Sequence, residues 1–382
     1  MLEMSSQKIV KVGIIGGGLM GRELLALVGR WDALIDHPVR PILTAIADVS
    51  DSVRTFFTKA GVAESYSDYR DLLASSNVDV VYIAVPHNLH EEIYLATINS
   101  GKDFLGEKPF GIDLAAAEKI AAALSGKSNF VRVSSELPFY PGAQAALREA
   151  QSGNLGEIVE VRSGLLHSSD IDRTKKINWK RQRQFCGDIG VLGDLGMHAA
   201  HIPLRLGYQP QKVFAILDDI VTQRENASGQ EVPCDTFDNA TLAIRATSPD
   251  TKREFPMFWE MKRIAPGESN TFFFSAIGMT GGVRFTTRNP AVYQTFSLKN
   301  GVQIWSEIQP GHVVNWPVIT GHIFEFGFPD ALLQMWASFF AEREGALGDR
   351  FACASVEEVL NSHRVFAAAM HSHDTHSEVV LK

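Results

Sequence analysis

The sequence contains little that could cross-link the chain or anchor it in a membrane. Three cysteines occur among 382 residues, widely separated and without a C-x-x-C pair. This pattern argues against a disulfide framework and against a zinc ribbon. No apolar run reaches membrane-spanning length, and the first six residues lack a charged-then-apolar targeting pattern. We therefore expect a cytoplasmic protein without a membrane partner.

Positive charge is also scarce. The formal net charge is −8, from 36 Lys and Arg against 44 Asp and Glu, which argues against a nucleic-acid partner. The exception is a basic run from Arg173 to Arg183. It is either a solvated loop or a segment that faces a substrate or cofactor.

The apolar pattern divides the chain into two parts, as its length suggests. Up to about Glu136, short buried strands alternate with helices, which is typical of a doubly wound parallel sheet. Beyond it, longer strands follow one another with short turns, and two helices come late. We predict an α/β protein with a dinucleotide-binding domain over 1–136. A second domain over 137–382 is predicted to be α+β, with a large, mostly antiparallel, open-faced sheet for substrate binding and oligomerisation.

A glycine-rich turn opens the first domain. The glycines Gly16, Gly18 and Gly21 form G-x-G-x-x-G between an apolar strand and a helix. Gly16 suits the tight turn, Gly18 lets a pyrophosphate approach the main chain, and Gly21 lets the helix pack closely. The helix N-terminus offers unpaired N–H groups to the phosphates. The order of these elements predicts dinucleotide binding.

Two charged residues follow later strands of the same sheet. Asp48 ends the second strand, where a carboxylate accepts hydrogen bonds from the adenosine ribose and repels a 2′-phosphate. That favours NAD over NADP, although a surface turn residue is the alternative. Lys108 lies in Glu107-Lys108-Pro109 after a later strand. Its ammonium could stabilise a developing alkoxide, or it could be a solvated surface lysine.

A second cluster contains Asp194 and His198, four residues apart. On a helix they share one face, so the carboxylate could orient the imidazole as a base for a hydroxyl proton. The alternative is a helix N-cap aspartate beside a buried structural histidine. A zinc site with His201 lacks further ligands nearby. The histidine-rich stretch 371–376 is predicted to be an exposed loop, so we expect no metal site.

Together, these segments resemble the Gfo/Idh/MocA family, the glucose–fructose oxidoreductase and inositol dehydrogenase group. The likeness covers nearly the whole chain, in the same order. It comprises Gly16–Gly21, Asp48, Pro86-His87-Asn88-Leu89-His90, Glu107-Lys108-Pro109, Leu155-Gly156-Glu157-Ile158, and Asp194 with His198. The resemblance implies a Rossmann domain that binds NAD(P) and an α/β domain with an open sheet.

The resemblance also implies roles for individual residues. The implied catalytic residues are Lys108, Asp194 and His198. The implied cofactor contacts are Gly16, Gly18, Leu19, Met20, Asp48, Pro86, His87, His90, Glu107 and Lys108. The candidate substrate contacts are Lys108, Tyr140, Trp179, Lys180, Asp194, His198 and His201.

Four positions depart from the family pattern. His87 replaces an asparagine, Pro138 an arginine, and His201 an aspartate, while a glycine triplet survives only as Gly190. These changes affect the expected identity of the substrate more than the expected type of reaction.

The expected activity is NAD-dependent oxidation of a secondary hydroxyl of a sugar, sugar acid or cyclitol. Two alternatives remain: a redox glycosidase that recycles NAD in place, and a dinucleotide sensor without turnover. Apolar strands such as Phe272-Phe273-Phe274 favour a homodimer or homotetramer formed through the second sheet.

Overall fold

The chain is described here from a computed structural model, which covers residues 7–311, 314–321 and 325–381, without the side chain of Lys252. The N-terminal segment 1–6, where the sequence shows no targeting pattern, lies outside the described residues. In the described ranges, no helix is long and apolar enough to cross a membrane.

The α-helices are α1 (Leu19–Val28), α2 (Asp51–Lys59), α3 (Tyr69–Ala74), α4 (His90–Asn99), α5 (Leu114–Ala123), α6 (Pro141–Gln151), α7 (Arg183–Cys186), α8 (Gly190–Arg205), α9 (Phe328–Arg343) and α10 (Val356–Thr375). The strands are β1 (Lys8–Ile15), β2 (Val39–Ala47), β3 (Glu64–Tyr66), β4 (Val80–Ile83), β5 (Asp103–Gly106), β6 (Val131–Val133), β7 (Ile158–His167), β8 (Gln209–Asp218), β9 (Gln223–Glu225), β10 (Glu231–Pro233), β11 (Asn239–Ser248), β12 (Thr251–Lys262), β13 (Asn270–Gly278), β14 (Gly281–Thr286), β15 (Tyr293–Lys299), β16 (Val302–Ile308) and β17 (Val379–Val380).

The chain divides into two compact units. The first comprises Met1–Gly111, Ala115–Phe139 and Val314–Val356, and the second comprises Ile112–Leu114, Tyr140–Val313 and Glu357–Lys382. This division differs from a single cut after residue 136, because the chain returns to the first unit late.

The first unit contains a six-stranded parallel sheet in the order β3-β2-β1-β4-β5-β6. This is the strand order of dinucleotide-binding folds. Its central strand β4 is apolar and fully buried, since helices cover both faces of a sheet wound in this way. The predicted doubly wound parallel sheet is confirmed.

Helix α9 belongs to this first unit, although it comes after strands β7 to β16 in the chain. Its Glu342 pairs with Arg132 of β6, and its Arg343 Nε lies 2.7 Å from Asp103 Oδ2 at the start of β5. The ring of Trp336 packs edge-on against Tyr82 of β4, with centroids 5.2 Å apart. Buried aromatic packing and two ion pairs therefore join α9 to the first sheet.

The second unit contains a nine-stranded sheet in the order β16-β15-β14-β13-β7-β12-β11-β8-β17. All its pairings are antiparallel except that of β7 with β12. The prediction of a mostly antiparallel sheet is confirmed. Helix α8 packs on β7 and β12, and α6 on β14, so one face of the sheet is covered.

The late helix α10 is longer than predicted. It continues to Thr375 and therefore includes His371 and His373. The expectation of a loop over 371–376 is wrong, because the polar residues there occupy the last turn of an amphipathic helix whose Phe366 and Ser372 are buried.

Candidate functional site

The glycine-rich turn follows β1 at the carboxyl edge of the first sheet. Gly16 has a φ of +93°, and a Cβ there would lie 2.3 Å from the Ala84 carbonyl oxygen. A Cβ on Gly21 would lie 2.5 Å from the Gly16 carbonyl oxygen, so the helix approaches the turn closely. No heavy atom comes within 4 Å of the corresponding position on Gly18. Two glycines are thus required by packing, while the third leaves open space.

That open space lies at the N-terminus of α1, where Gly18 is the N-cap residue. Leu19 beside it is 76% exposed, and Val49 after β2 is 91% exposed, while Met20 is half-buried. The amides at the helix N-terminus can bind a phosphate, and the exposed apolar side chains can pack against a flat ring.

Asp48 is fixed by main-chain hydrogen bonds. Its Oδ2 accepts the Gly17 N–H at 2.9 Å, and its Oδ1 accepts the Ser50 N–H at 2.8 Å. Below it, an Arg54 guanidinium nitrogen donates to the Asp48 carbonyl at 2.6 Å. The carboxylate therefore has a defined direction next to the glycine-rich turn, as a ribose-binding role requires.

The segment after β4 carries Pro86, His87 and His90. Pro86 is half-buried and His87 is buried. The imidazole of His90 is fully buried, with Nδ1 2.6 Å from the Pro109 carbonyl and Nε2 3.0 Å from the Val85 carbonyl. Burial lowers the pKa of His90. This side chain therefore ties together the loops after β4 and β5, and a direct cofactor contact by His90 stays a prediction.

Glu107 and Lys108 follow β5 at the same edge. Glu107 is buried, and its Oε1 accepts the Tyr82 hydroxyl at 2.6 Å. Lys108 is half-buried and precedes Pro109 through a cis peptide bond. The glycine-rich turn, Asp48 and Lys108 thus all lie at the carboxyl edge of one parallel sheet, as predicted from the order of the motifs.

In the second unit, α8 confirms the helical spacing of Asp194 and His198. Asp194 lies inside this helix, so the alternative of an N-cap aspartate is wrong. Its Oδ1 lies 2.8 Å from Lys180 Nζ, and its Oδ2 lies 3.3 Å from the Arg263 guanidinium. Both Asp194 and His198 are buried. The buried carboxylate thus contacts two cationic side chains.

Sequence reasoning missed Arg263 and His167. Arg263 follows β12, and His167 is the last residue of β7. These strands are parallel neighbours with Lys262 opposite Leu166, so both residues come to one edge of the second sheet. Burial lowers the pKa of His167 to about 4, and the charges of Lys180 and Arg263 act in the same direction. A charged residue directly after a buried strand was the available signal for Arg263.

The basic run is an ordered segment beside Asp194. Lys180 Nζ lies 5.7 Å from the centroid of the Trp179 ring, and both side chains are half-buried. Arg181 within the run is fully buried, and its guanidinium lies 2.7 Å from Asp238 Oδ1. The interpretation as a plain solvated loop therefore fails for its central part, where two salt bridges hold the segment.

Tyr140 and His201 are further predicted substrate contacts. Tyr140 is buried at the start of α6, with its ring centroid 6.5 Å from that of Phe285. His201 is completely buried, and its Nε2 lies 3.2 Å from an Arg205 nitrogen. Burial and then the Arg205 charge lower the pKa of His201 to about 3. His201 is thus a neutral buried imidazole, and substrate contact by either residue stays a prediction.

The close packing of α8 depends on a glycine. A Cβ on Gly196 would lie 2.4 Å from Phe366 Cζ of α10, so no other residue lets these helices approach as they do. Across the described ranges, no group of three or more His, Cys, Asp or Glu side chains is arranged to hold a metal ion.

The first unit matches a known family. Residues 10–135 match the family model described as the Gfo/Idh/MocA oxidoreductase family with an NAD-binding Rossmann fold. Among curated relatives, a levoglucosan dehydrogenase of Pseudarthrobacter phenanthrenivorans is 25% identical over 72% of this chain and 73% of its own length. A bovine trans-1,2-dihydrobenzene-1,2-diol dehydrogenase is 25% identical over 55% of this chain, and the match spans less than two thirds of that relative.

Solved structures show the same fold over nearly the whole chain. A levoglucosan dehydrogenase in complex with NADH superposes with a TM-score of 0.87 at 23% identity, covering 98% of this chain and 100% of the other.

Proposed function

We propose that this chain, whose residues 10–135 match the model of the Gfo/Idh/MocA oxidoreductase family, oxidises a secondary hydroxyl of a sugar, sugar acid or cyclitol. In that reaction a hydride leaves the carbon for the nicotinamide, and the hydroxyl proton goes to a base. The observation that carries the proposal is the edge of the first sheet, where the glycine-rich turn, Asp48 and Lys108 follow β1, β2 and β5.

The residues present fit NAD. The open space at Gly18 and the amides of α1 suit the pyrophosphate. The ribose hydroxyls would donate to Asp48, whose carboxylate is aimed by the Gly17 N–H. The exposed apolar side chains of Leu19 and Val49 would cover the adenine. When bound, NAD supplies the hydride acceptor.

The chain's own residues supply the proton chemistry in this proposal. Lys108 donates a hydrogen bond to the substrate oxygen and stabilises negative charge as it develops. His198 accepts the hydroxyl proton, a task for which imidazole is suited near neutral pH. Asp194, which contacts Lys180 and Arg263, holds these polar groups of the second unit in place.

A carbohydrate substrate agrees with both the names of the relatives and the side chains near Asp194. One curated relative is named a levoglucosan dehydrogenase. The indole of Trp179 can stack on the C–H face of a sugar ring, and Lys180 and His167 offer hydrogen bonds to hydroxyls. We include His167 among the proposed substrate contacts.

A screen of sugars, sugar acids and inositols with NAD and NADP side by side tests the function. A dehydrogenase accumulates NADH absorbance with its substrate. Release of sugar from a glycoside without net NADH would instead identify a redox glycosidase. Tight NADH binding without turnover across the whole panel would identify a sensor.

Cofactor choice gives a direct prediction. Asp48→Asn should lower the preference for NAD over NADP by about tenfold or more, because the charge that repels a 2′-phosphate is removed. The measurement is the ratio of kcat/KM for the two cofactors. Asp51→Asn is the matched control, since it removes a carboxylate that is 87% exposed and pairs with Arg54. Equal ratios in the two variants would contradict the role of Asp48.

We also propose that the protein is a homodimer or homotetramer formed through the second sheet. The register places Phe214, Ala243 and Phe258 opposite one another in a row across β8, β11 and β12. Ile216 on the same face of β8 is 53% exposed, and Trp305 on β16 is 41% exposed. Exposed apolar side chains on this open face favour its burial against a second copy. Ile216→Glu should shift the mass measured by light scattering toward the monomer, and a wild-type monomer would contradict the proposal.

A further inference from the structure

The main chain of Lys180 is fixed on both sides by hydrogen bonds. Its N–H donates to Asn178 Oδ1 at 2.9 Å. Its carbonyl oxygen accepts hydrogen bonds from Arg263 Nη1 at 3.0 Å and from Thr236 Oγ1 at 3.1 Å. A carbonyl oxygen has two lone pairs, so two donors use this acceptor fully. The main chain therefore gives the lysine side chain a defined starting point.

The side chain of Lys180 is also held at its far end. Its Nζ lies 2.8 Å from Oδ1 of Asp194, which lies within α8. The lysine side chain is 40% exposed, whereas the aspartate side chain is 2% exposed. A lysine ammonium on its four-carbon stem is flexible when nothing holds it. Lys180 is therefore a cation that solvent can reach but that the protein anchors at both ends.

A single guanidinium group, that of Arg263, contacts both anchors of Lys180. Its Nη1 donates to the Lys180 carbonyl at 3.0 Å, while Nε and Nη2 each lie 3.3 Å from Asp194 Oδ2. Nη2 also lies 3.5 Å from the carbonyl oxygen of Gly190, the first residue of α8. The contacts form a closed ring, which runs from the guanidinium to the carboxylate, to the ammonium, and back through the main chain of Lys180.

Arg263 itself has a fixed place at the end of β12. It is 1% exposed, its N–H donates to the Asp238 carbonyl at 3.0 Å, and its carbonyl accepts the Asp170 N–H at 3.3 Å. The next residue, Ile264, exchanges two hydrogen bonds with the side chain of Asn239, at 2.9 Å and 3.1 Å. The ring of contacts is therefore attached to the edge of the second sheet and not to a free loop.

We propose that Arg263 is a positioning residue for Lys180, because the shape of its guanidinium, and not its charge alone, sets where the lysine ammonium lies. A guanidinium carries five N–H donors in a rigid fork and can bind a carbonyl and a carboxylate together. A lysine at position 263 would offer one nitrogen on a flexible stem. The ammonium is thereby placed to donate to a substrate hydroxyl. That last step rests on the proposed function, whereas the hold on Lys180 does not.

The hold on Lys180 can be measured without a substrate. The folded protein is labelled with a trace of acetic anhydride, and the rate of acetylation at each lysine is read from its peptides by mass spectrometry. Acetylation needs the neutral amine, and a carboxylate in contact favours the charged form. In Arg263→Lys, the rate at Lys180 should therefore rise by about threefold or more. The rate at the exposed Lys176 should stay unchanged and serves as an internal reference.

Arg253→Lys is the matched control, because it makes the same exchange on β12 at a side chain that is 52% exposed. It should leave the rate at Lys180 unchanged. Thr236→Val keeps every charge and removes one hydrogen bond to the Lys180 carbonyl, so it should raise the rate by a smaller factor. An unchanged rate at Lys180 in folded Arg263→Lys overturns the proposal. If that variant does not fold, an unchanged rate in Thr236→Val overturns it.

The effect on the substrate is measured with the sugar or inositol that has the highest kcat/KM in the screen. Arg263→Lys should raise KM for that substrate by about tenfold, lower kcat by a smaller factor, and leave KM for NAD unchanged. A purely structural role would reduce the amount of active enzyme and thus lower kcat without moving KM. An unchanged KM would overturn the positioning role in substrate binding. If the screen finds no activity, the proposed function fails, and the labelling rate still decides whether Arg263 holds Lys180.

Discussion

Replacing Lys108 by methionine should lower kcat by about three orders of magnitude and change the affinity for NADH by no more than about twofold. Methionine nearly matches the length of the lysine stem and keeps the apolar packing of a half-buried side chain. It removes the ammonium, and with it the hydrogen bond proposed to stabilise the developing alkoxide. Because the proposed cofactor contacts lie after β1 and β2 as well, dinucleotide binding should survive.

The measurement pairs steady-state turnover with NADH titration by fluorescence. Lys127→Met is the control, because it makes the same exchange at an exposed position of the same unit and should leave both quantities unchanged. Retention of most of the activity in Lys108→Met would refute the assignment. Loss of NADH binding in step with turnover would instead make Lys108 a cofactor-binding residue.

The buried ion pair of Arg181 and Asp238 should have the largest effect on stability. Both side chains are 0% exposed, and their atoms lie 2.7 Å apart. Asp238 also accepts the Val221 N–H at 2.8 Å. Asp238→Asn would leave the guanidinium buried without that charge, and we expect a loss of about 3 kcal/mol in the free energy of unfolding.

Urea unfolding measures this loss, and an exposed pair provides the comparison. Lys176 in the same segment pairs with Glu225, and both side chains are more than half exposed. Glu225→Gln should therefore lower the free energy of unfolding far less than Asp238→Asn. Similar losses in the two variants would show that the Arg181 pair does not anchor the segment. Trp179 and Lys180, two proposed substrate contacts, directly precede Arg181 in this segment. Asp238→Asn should therefore also raise KM for the substrate.

The structural features predicted best from the sequence are those that a contiguous stretch of residues encodes. The glycine-rich turn and Asp48 could be located because each lies at the end of a buried strand of a regular α/β alternation. Asp194 and His198 share a helix, so their spacing was informative before the helix was seen. The roles of these residues in the reaction stay predictions.

Residues whose positions depend on strand register could not be found in this way. Arg263 and His167 become neighbours because β12 joins the sheet parallel to β7, a pairing across about a hundred residues that no local pattern specifies. Asp194 was expected to orient a histidine, whereas its nearest cations, Lys180 and Arg263, come from other segments.

The late return of the chain to the first unit sets the order in which that unit can be completed during synthesis. Its sheet is finished at β6, yet Arg132 and Asp103 await partners on α9, which leaves the ribosome only after strands β7 to β16 have been translated. A fragment released after residue 136 would expose the apolar surface that Trp336 covers. Such a fragment should precipitate or recruit chaperones rather than behave as an independent nucleotide-binding module.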